Sequence, residues 1–213
     1  MNTEHELSGD DSCLNCHKAE EDLSAAAWQQ RYQNGQTGWD RGAPGPQLMT
    51  WLTDGTLSPC RILVPGCGRG HEVVALAAAG FDVTAVDFAE EPIHSVSTQL
   101  QERDLKARVI RADVFAFDPD EPFDAVYEQT CLCAIHPSQW RTYEQQLACW
   151  LRPSGKLFAL FLQADNSTGP PFGCHPERMR ALFSADVWEW PDALHRVEHP
   201  TGLHELAAVL VRH

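Results

Sequence analysis

At 213 residues with 43% hydrophobic content, the chain can bury one full core but is too short for a dinucleotide-binding domain plus a separate substrate domain. Thirty acidic side chains against 16 basic ones leave a net charge of −14, which disfavours nucleic-acid and anionic-membrane surfaces, because both call for clustered lysine and arginine. No apolar stretch nears the ~18 residues of a membrane span, and the acidic start lacks the basic and apolar regions of a signal peptide; the expected setting is the cytoplasm, the expected partner a small molecule and the expected state a monomer.

Residues 1–22 carry seven acids and one lysine with few apolar side chains, the composition of a loosely held tail. Ser24 is a helix N-cap for the run through Tyr32, with Gly35 just past its end and Trp28 and Tyr32 on one face. A turn over Gly38-Trp39-Asp40-Arg41-Gly42 and a short helix from Pro46 to Thr53 follow, so residues 23–58 are expected to form a helical lid before a core spanning 59–213. The strand Arg61–Val64 then opens into Pro65-Gly66-Cys67-Gly68-Arg69-Gly70-His71-Glu72. Beyond it the pattern alternates: helix Glu72 to Ala79, strand Asp82 to Val86, helix Glu90 to Arg103, strand Arg108 to Arg111, strand Phe123 to Tyr127, helix Ser138 to Leu151 and strand Lys156 to Leu162. After a Gly/Pro-rich loop and a helix through Arg178 to Phe183, two extended runs, Trp188 to His199 and Leu206 to Arg212, are joined only by Pro200-Thr201-Gly202 and must pair antiparallel. The fold class expected is α/β: a doubly wound, seven-stranded, mostly parallel sheet with one antiparallel strand inserted at its edge.

The glycine run carries the chemistry. Gly66, Gly68 and Gly70 let the backbone turn sharply off a strand and approach a ligand closely. Asp87 ends the next apolar strand about twenty residues on, where a carboxylate accepts from both hydroxyls of a ribose. His71 stands where a dinucleotide fingerprint needs its third glycine, so the spacing points to S-adenosylmethionine instead. Asp113, at the end of the following strand, is placed to accept from an adenine amino group while the backbone beside Val114 meets a ring nitrogen, and Phe88 can pack on the adenine face.

Eight cysteines do not change this reading: without a signal peptide they are reduced thiols, and Cys13-Leu14-Asn15-Cys16-His17 matches a haem-attachment pattern only by chance in an acidic tail. No second Cys-x-x-Cys completes a metal site. Cys67, near a helix start, has a position that can lower a thiol pKa, but its expected role is only small size within the turn. Five tryptophans, Trp51, Trp140, Trp150, Trp188 and Trp190, are packing residues by default.

From Ala27 onward the chain resembles a known family. Trp28-x-x-x-Tyr32, Gly35 to Gly42, Leu63-Val64-Pro65-Gly66-Cys67-Gly68-Arg69-Gly70-His71-Glu72, Phe123 to Pro137 and Gly169-Pro170-Pro171-Phe172 are similar to the thiopurine S-methyltransferase family, on its thiol and halide methyltransferase branch. The resemblance implies that Trp28, Tyr32 and Trp39 fold over the cofactor and that Gly66, Asp87, Asp113 and Val114 hold it. It also marks a departure: the plant halide enzymes of this branch carry an acid then an aromatic after the fourth strand, where this chain has Glu128-Gln129, and an acid where it has His136. Glu128 is expected to face the cofactor, with Gln129 and His136 in the substrate pocket.

A free thiol is already partly ionised near neutral pH and needs no strong base. A small soft nucleophile, a thiol or a thiopurine, chalcogen or halide species, is therefore the expected methyl acceptor. Two alternatives stand beside it: an oxygen or nitrogen methyltransferase using His136 as base, and an inactive S-adenosylmethionine-binding sensor or scaffold.

Overall fold

Strand β1 (Arg61–Pro65) is apolar on both faces, the composition of a strand that must lie inside a sheet covered on both sides. In the computed structural model, which describes residues 21–165, 168–199 and 201–213, it pairs in parallel with β2 (Asp82–Asp87) on one side and β4 (Phe123–Gln129) on the other. β3 (Arg108–Arg111) extends the sheet beyond β2 and β5 (Leu151–Gln163) extends it beyond β4, both in parallel. The strand order reverses between β1 and β4, with β2 and β3 laid out to one side and β5 to the other, which opens a crevice above the carboxyl ends of the strands at that switch point.

Helices α1 (Ala25–Gln33) and α2 (Pro46–Thr53) precede the sheet, and α3 (His71–Ala78), α4 (Glu90–Glu102), α5 (Trp140–Trp150) and α6 (Pro176–Leu182) follow strands. Ser24 caps α1 by accepting from the Ala27 N–H at 3.3 Å. Glu90 and Glu91 sit in the first turn of α4, favourable to its dipole. The backbone N–H groups of both donate to the Gln29 carboxamide oxygen, at 2.8 and 3.0 Å, which ties α1 to the start of α4. Alternation along β4 and β5 feeds two apolar layers: Val126, Leu157 and Ala159 face α5 and α6, while Ala125, Tyr127 and Phe158 pack toward α2 and α3. Trp51, Trp140, Trp150 and Trp188 are buried within these layers, as packing residues.

The expected inserted strand is β8 (His204–Arg212), antiparallel to β5 over its length. Its far side is where sequence and structure differ. The run from Trp188 to His199 is broken at Pro191, which cannot donate to a ladder, into β6 (Trp188–Glu189) and β7 (His195–Glu198). Both pair antiparallel with β8, at opposite ends, so eight strands fill seven positions. Residues 1–20, including the Cys13 to His17 pattern, lie outside the described residues, and no described helix is long and apolar enough to cross a membrane.

Candidate active site

Above the β1–β4 crevice lies a cavity of about 1040 Å³, at the upper end of the ~300–1,000 Å³ usual for small-molecule sites. Its floor is the turn after β1. Gly66, Gly68 and Gly70 have φ of +56°, +51° and +78°, conformations that a β-carbon disfavours. Close approach adds to this: a β-carbon on Gly66 would sit 2.8 Å from the Cys131 sulfur, and one on Gly70 would run into Val96. The Asp87 carboxylate, 6% exposed at the end of β2, accepts from the Gly68 N–H at 3.1 Å and the Ala89 N–H at 3.0 Å. Burial raises its pKa, and the N–H groups of Ala89, Gly68 and Phe88 oppose that rise.

Phe88, Asp113 and Val114 line the same end of the cavity. Asp113 is exposed and lines the cavity, with one oxygen accepting from the Phe115 N–H at 2.9 Å. Over the glycine turn stand Trp28, Tyr32 and Trp39, with Trp39 edge-on to both at ring separations of 5.3 and 5.8 Å. The turn bearing Trp39 is latched to the floor through Asp40, which meets Arg69 Nε at 3.2 Å and His71 Nε2 at 2.9 Å.

The other end of the cavity lies over β4 and β5. Gln129 faces it, accepting from the Tyr127 hydroxyl at 2.7 Å and donating Nε2–H to both oxygens of Glu205 at 3.0 and 3.2 Å. Arg41 completes this network with an ion pair to Glu205 at 3.0 Å. His136 also lines the cavity; its Nδ1 lies 2.7 Å from the Ser138 hydroxyl and accepts from the Ser138 N–H, and its ring meets Phe172 edge-on. Cys133, Ile135, Leu162, Pro170 and Pro171 supply an apolar wall.

One expectation is corrected. Glu128 does not face the cofactor cavity: alternation along β4 turns Tyr127 and Gln129 toward it and Glu128 away, where its carboxylate accepts from the Leu132 N–H at 2.7 Å. That bond braces the turn after β4, and burial pushes the Glu128 pKa up to about 7. Cys67, expected to matter only for its small size in the turn, is buried there, and burial and then the Asp87 charge push its pKa well up. Among the described residues no cluster of three or more His, Cys, Asp and Glu groups could hold a metal.

This arrangement fits an adenosyl ligand on structural grounds: a floor from which β-carbons are excluded, a buried carboxylate at the end of β2 and an aromatic cover. The family model for "Thiopurine S-methyltransferase (TPMT)" matches residues 23–205. The chain belongs to that family. It is accordingly an S-adenosylmethionine-dependent methyltransferase of small molecules. "Probable thiol methyltransferase 2" of Arabidopsis thaliana is 31% identical over 160 residues, 73% of this chain and 70% of the relative. A "Thiopurine S-methyltransferase" of Pseudomonas putida is 27% identical over 195 residues, 83% of this chain and 90% of the relative. In fold the enzyme is similar to the 1,6-didemethyltoxoflavin-N1-methyltransferase of Burkholderia thailandensis, with a TM-score of 0.75 at 23% identity, covering 89% of this chain and 87% of that one.

The Asp40 latch, the Arg41–Glu205–Gln129 network and a further cavity residue, His199, are absent from the sequence reading. Asp40 and Arg41 lie inside a motif already singled out, and their charges beside Trp39 were the available signal. Glu205 and His199 carry no local signal, since only the pairing of β7 and β8 brings them to this end of the sheet.

Proposed function

We propose that this methyltransferase acts on a small thiol, bound as its thiolate at the β4–β5 end of the cavity, and works as a cytoplasmic monomer on small molecules rather than nucleic acid. One observation carries the reading: around that end, the described acids are committed to internal partners. Glu205 is held by Arg41 and Gln129, Glu72 accepts from the Gly45 N–H at 2.9 Å, and Glu128 is turned away. An acceptor needing deprotonation by a carboxylate is poorly served there, whereas a thiol arrives already ionised in part. That every described cysteine is a free thiol accords with a reducing compartment.

Gly66, Gly68, Gly70, Asp87, Phe88, Asp113 and Val114 are the residues proposed to hold S-adenosylmethionine, with Trp28, Tyr32 and Trp39 over it. When bound, it supplies an electrophilic methyl group on a sulfonium, open to in-line displacement by sulfur. Alignment of the partners is the chain's main contribution, and positioning of this kind is worth about 7–11 kcal/mol. Gln129, fixed at three of its polar contacts, shapes the acceptor end, and His136 borders it.

The experiment is a pH–rate series over thiols of different acidity at subsaturating concentration. The rate is expected to rise about tenfold per pH unit below each thiol's own pKa and then level off, with the inflection moving from thiol to thiol. His136→Gln should preserve that shape. An inflection that stays fixed from thiol to thiol and vanishes in His136→Gln would instead identify an enzyme base.

Residues 23–58 are proposed as a lid that excludes water from the sulfonium. Removal of residues 1–22 is expected to spare activity, and removal through Trp39 to abolish S-adenosylmethionine binding. Tight binding by the shorter form would leave the lid without a role.

A further inference from the structure

His199 is a buried histidine, 6% exposed, in the wall of the cavity. The sheet puts it there: Glu198 of β7 lies opposite His204 of β8, and His204 opposite Gln163 at the carboxyl end of β5. The turn after β7 therefore stands at the same edge as Gln129 at the end of β4. The ring's proton can be located. Thr201 presents both a backbone N–H, 3.4 Å from Nδ1, and a hydroxyl, 2.7 Å from it. A backbone N–H can only donate, so Nδ1 accepts and the proton resides on Nε2. That Nε2–H is buried and has no hydrogen-bond partner among the described residues. A donor buried without an acceptor is uncommon and marks a place for one.

Arg41 borders the same region. Two of its N–H groups go to the Glu198 carbonyl at 2.9 Å and to Glu205 at 3.0 Å, which leaves part of a five-donor guanidinium for another acceptor. Burial first, then the Arg41 charge, press the His199 pKa down to about 4. The ring is thus neutral near physiological pH and keeps one donor and one acceptor. On a chain with a net charge of −14, a small anion entering this cavity requires local donors of this kind.

We propose that His199 Nε2–H, with Arg41 beside it, forms the subsite that receives a small sulfur-bearing anion at the acceptor end of the cavity. This rests on the thiolate reading above and names the groups that would recognise the charge. Hydrogen bonding from a neutral imidazole holds a thiolate without protonating it, which an imidazolium would do more readily.

The test is binding without turnover. Sodium thiocyanate, a small sulfur-bearing monoanion, is titrated into the complex of the full chain with S-adenosylhomocysteine, and the histidine side chains are followed by nitrogen-15 NMR. Saturable binding that moves the His199 Nε2–H resonance is expected. His199→Phe should weaken it at least tenfold with S-adenosylhomocysteine affinity unchanged, while His199→Gln, which keeps a donor, should retain most of it. Thr201→Val, which removes one of the two donors that fix the tautomer, should fall between and covers the case in which His199→Phe fails to fold. Undiminished binding in His199→Phe or, should that variant not fold, in Thr201→Val, a stationary His199 resonance, or no saturable binding to the wild type would each overturn the subsite. Thiocyanate binding at His199 in an enzyme that methylates no thiol would leave the subsite standing and remove the thiol reading alone.

Discussion

Asp87→Ala is expected to weaken S-adenosylmethionine binding about a hundredfold. The carboxylate is 6% exposed and holds the Gly68 and Ala89 N–H groups, so its loss both frees the glycine turn and takes away the proposed ribose acceptor. Hydrogen bonds to a charged group contribute ~1.5–3 kcal/mol each. Two of them at the lower bound give about 3 kcal/mol, and each 1.4 kcal/mol is tenfold in affinity. Asp87→Asn, which keeps one acceptor oxygen, should lose about tenfold. Calorimetry on the folded variants measures both, and unchanged affinity in Asp87→Ala would place the ribose elsewhere.

Arg41→Ala should cost about 3–5 kcal/mol of stability, because it leaves the fully buried Glu205 without its cation. The deficit has a predictable pH dependence. Burial raises the Glu205 pKa to about 7 even with Arg41 and Gln129 opposing the rise, against ~4.3 in the unfolded chain. Between those values the native state binds more protons than the unfolded one, so stability falls as pH rises through that window. Without Arg41 the folded pKa moves higher still. The variant's deficit should therefore be larger at pH 8 than at pH 5, and adding Glu205→Gln should recover much of it. Urea melts at the two pH values read this directly; a deficit that is the same at both would mean that some other group is left uncompensated.

The parts legible in the sequence were those set by local rules. The Gly66 to Gly70 turn and Asp87 announce themselves because backbone geometry demands glycine and a strand end presents the acid. The helices around Trp28 and Pro46 follow from a cap and a proline at N1. The misassigned Glu128 was correctable from the same rules: strand neighbours point to opposite faces, so Glu128 and Gln129 cannot both reach one cavity. Pro191 likewise signalled the break between β6 and β7. Cys67 required its surroundings, since proximity to a helix start lowers a thiol pKa only where burial does not outweigh it. His199 and Glu205 were illegible because their roles depend on strand order and on partners distant in sequence.

Arg41 and Glu205 are 164 residues apart. Pairing over such a separation forms late, after the intervening segments have their own contacts, and on the ribosome it must wait for β8 to emerge. The glycine turn, Asp87 and the aromatic cover are all made from residues synthesised much earlier. The residues proposed to hold the methyl donor are thus all synthesised before β8, which carries Glu205 and pairs with β5, β6 and β7.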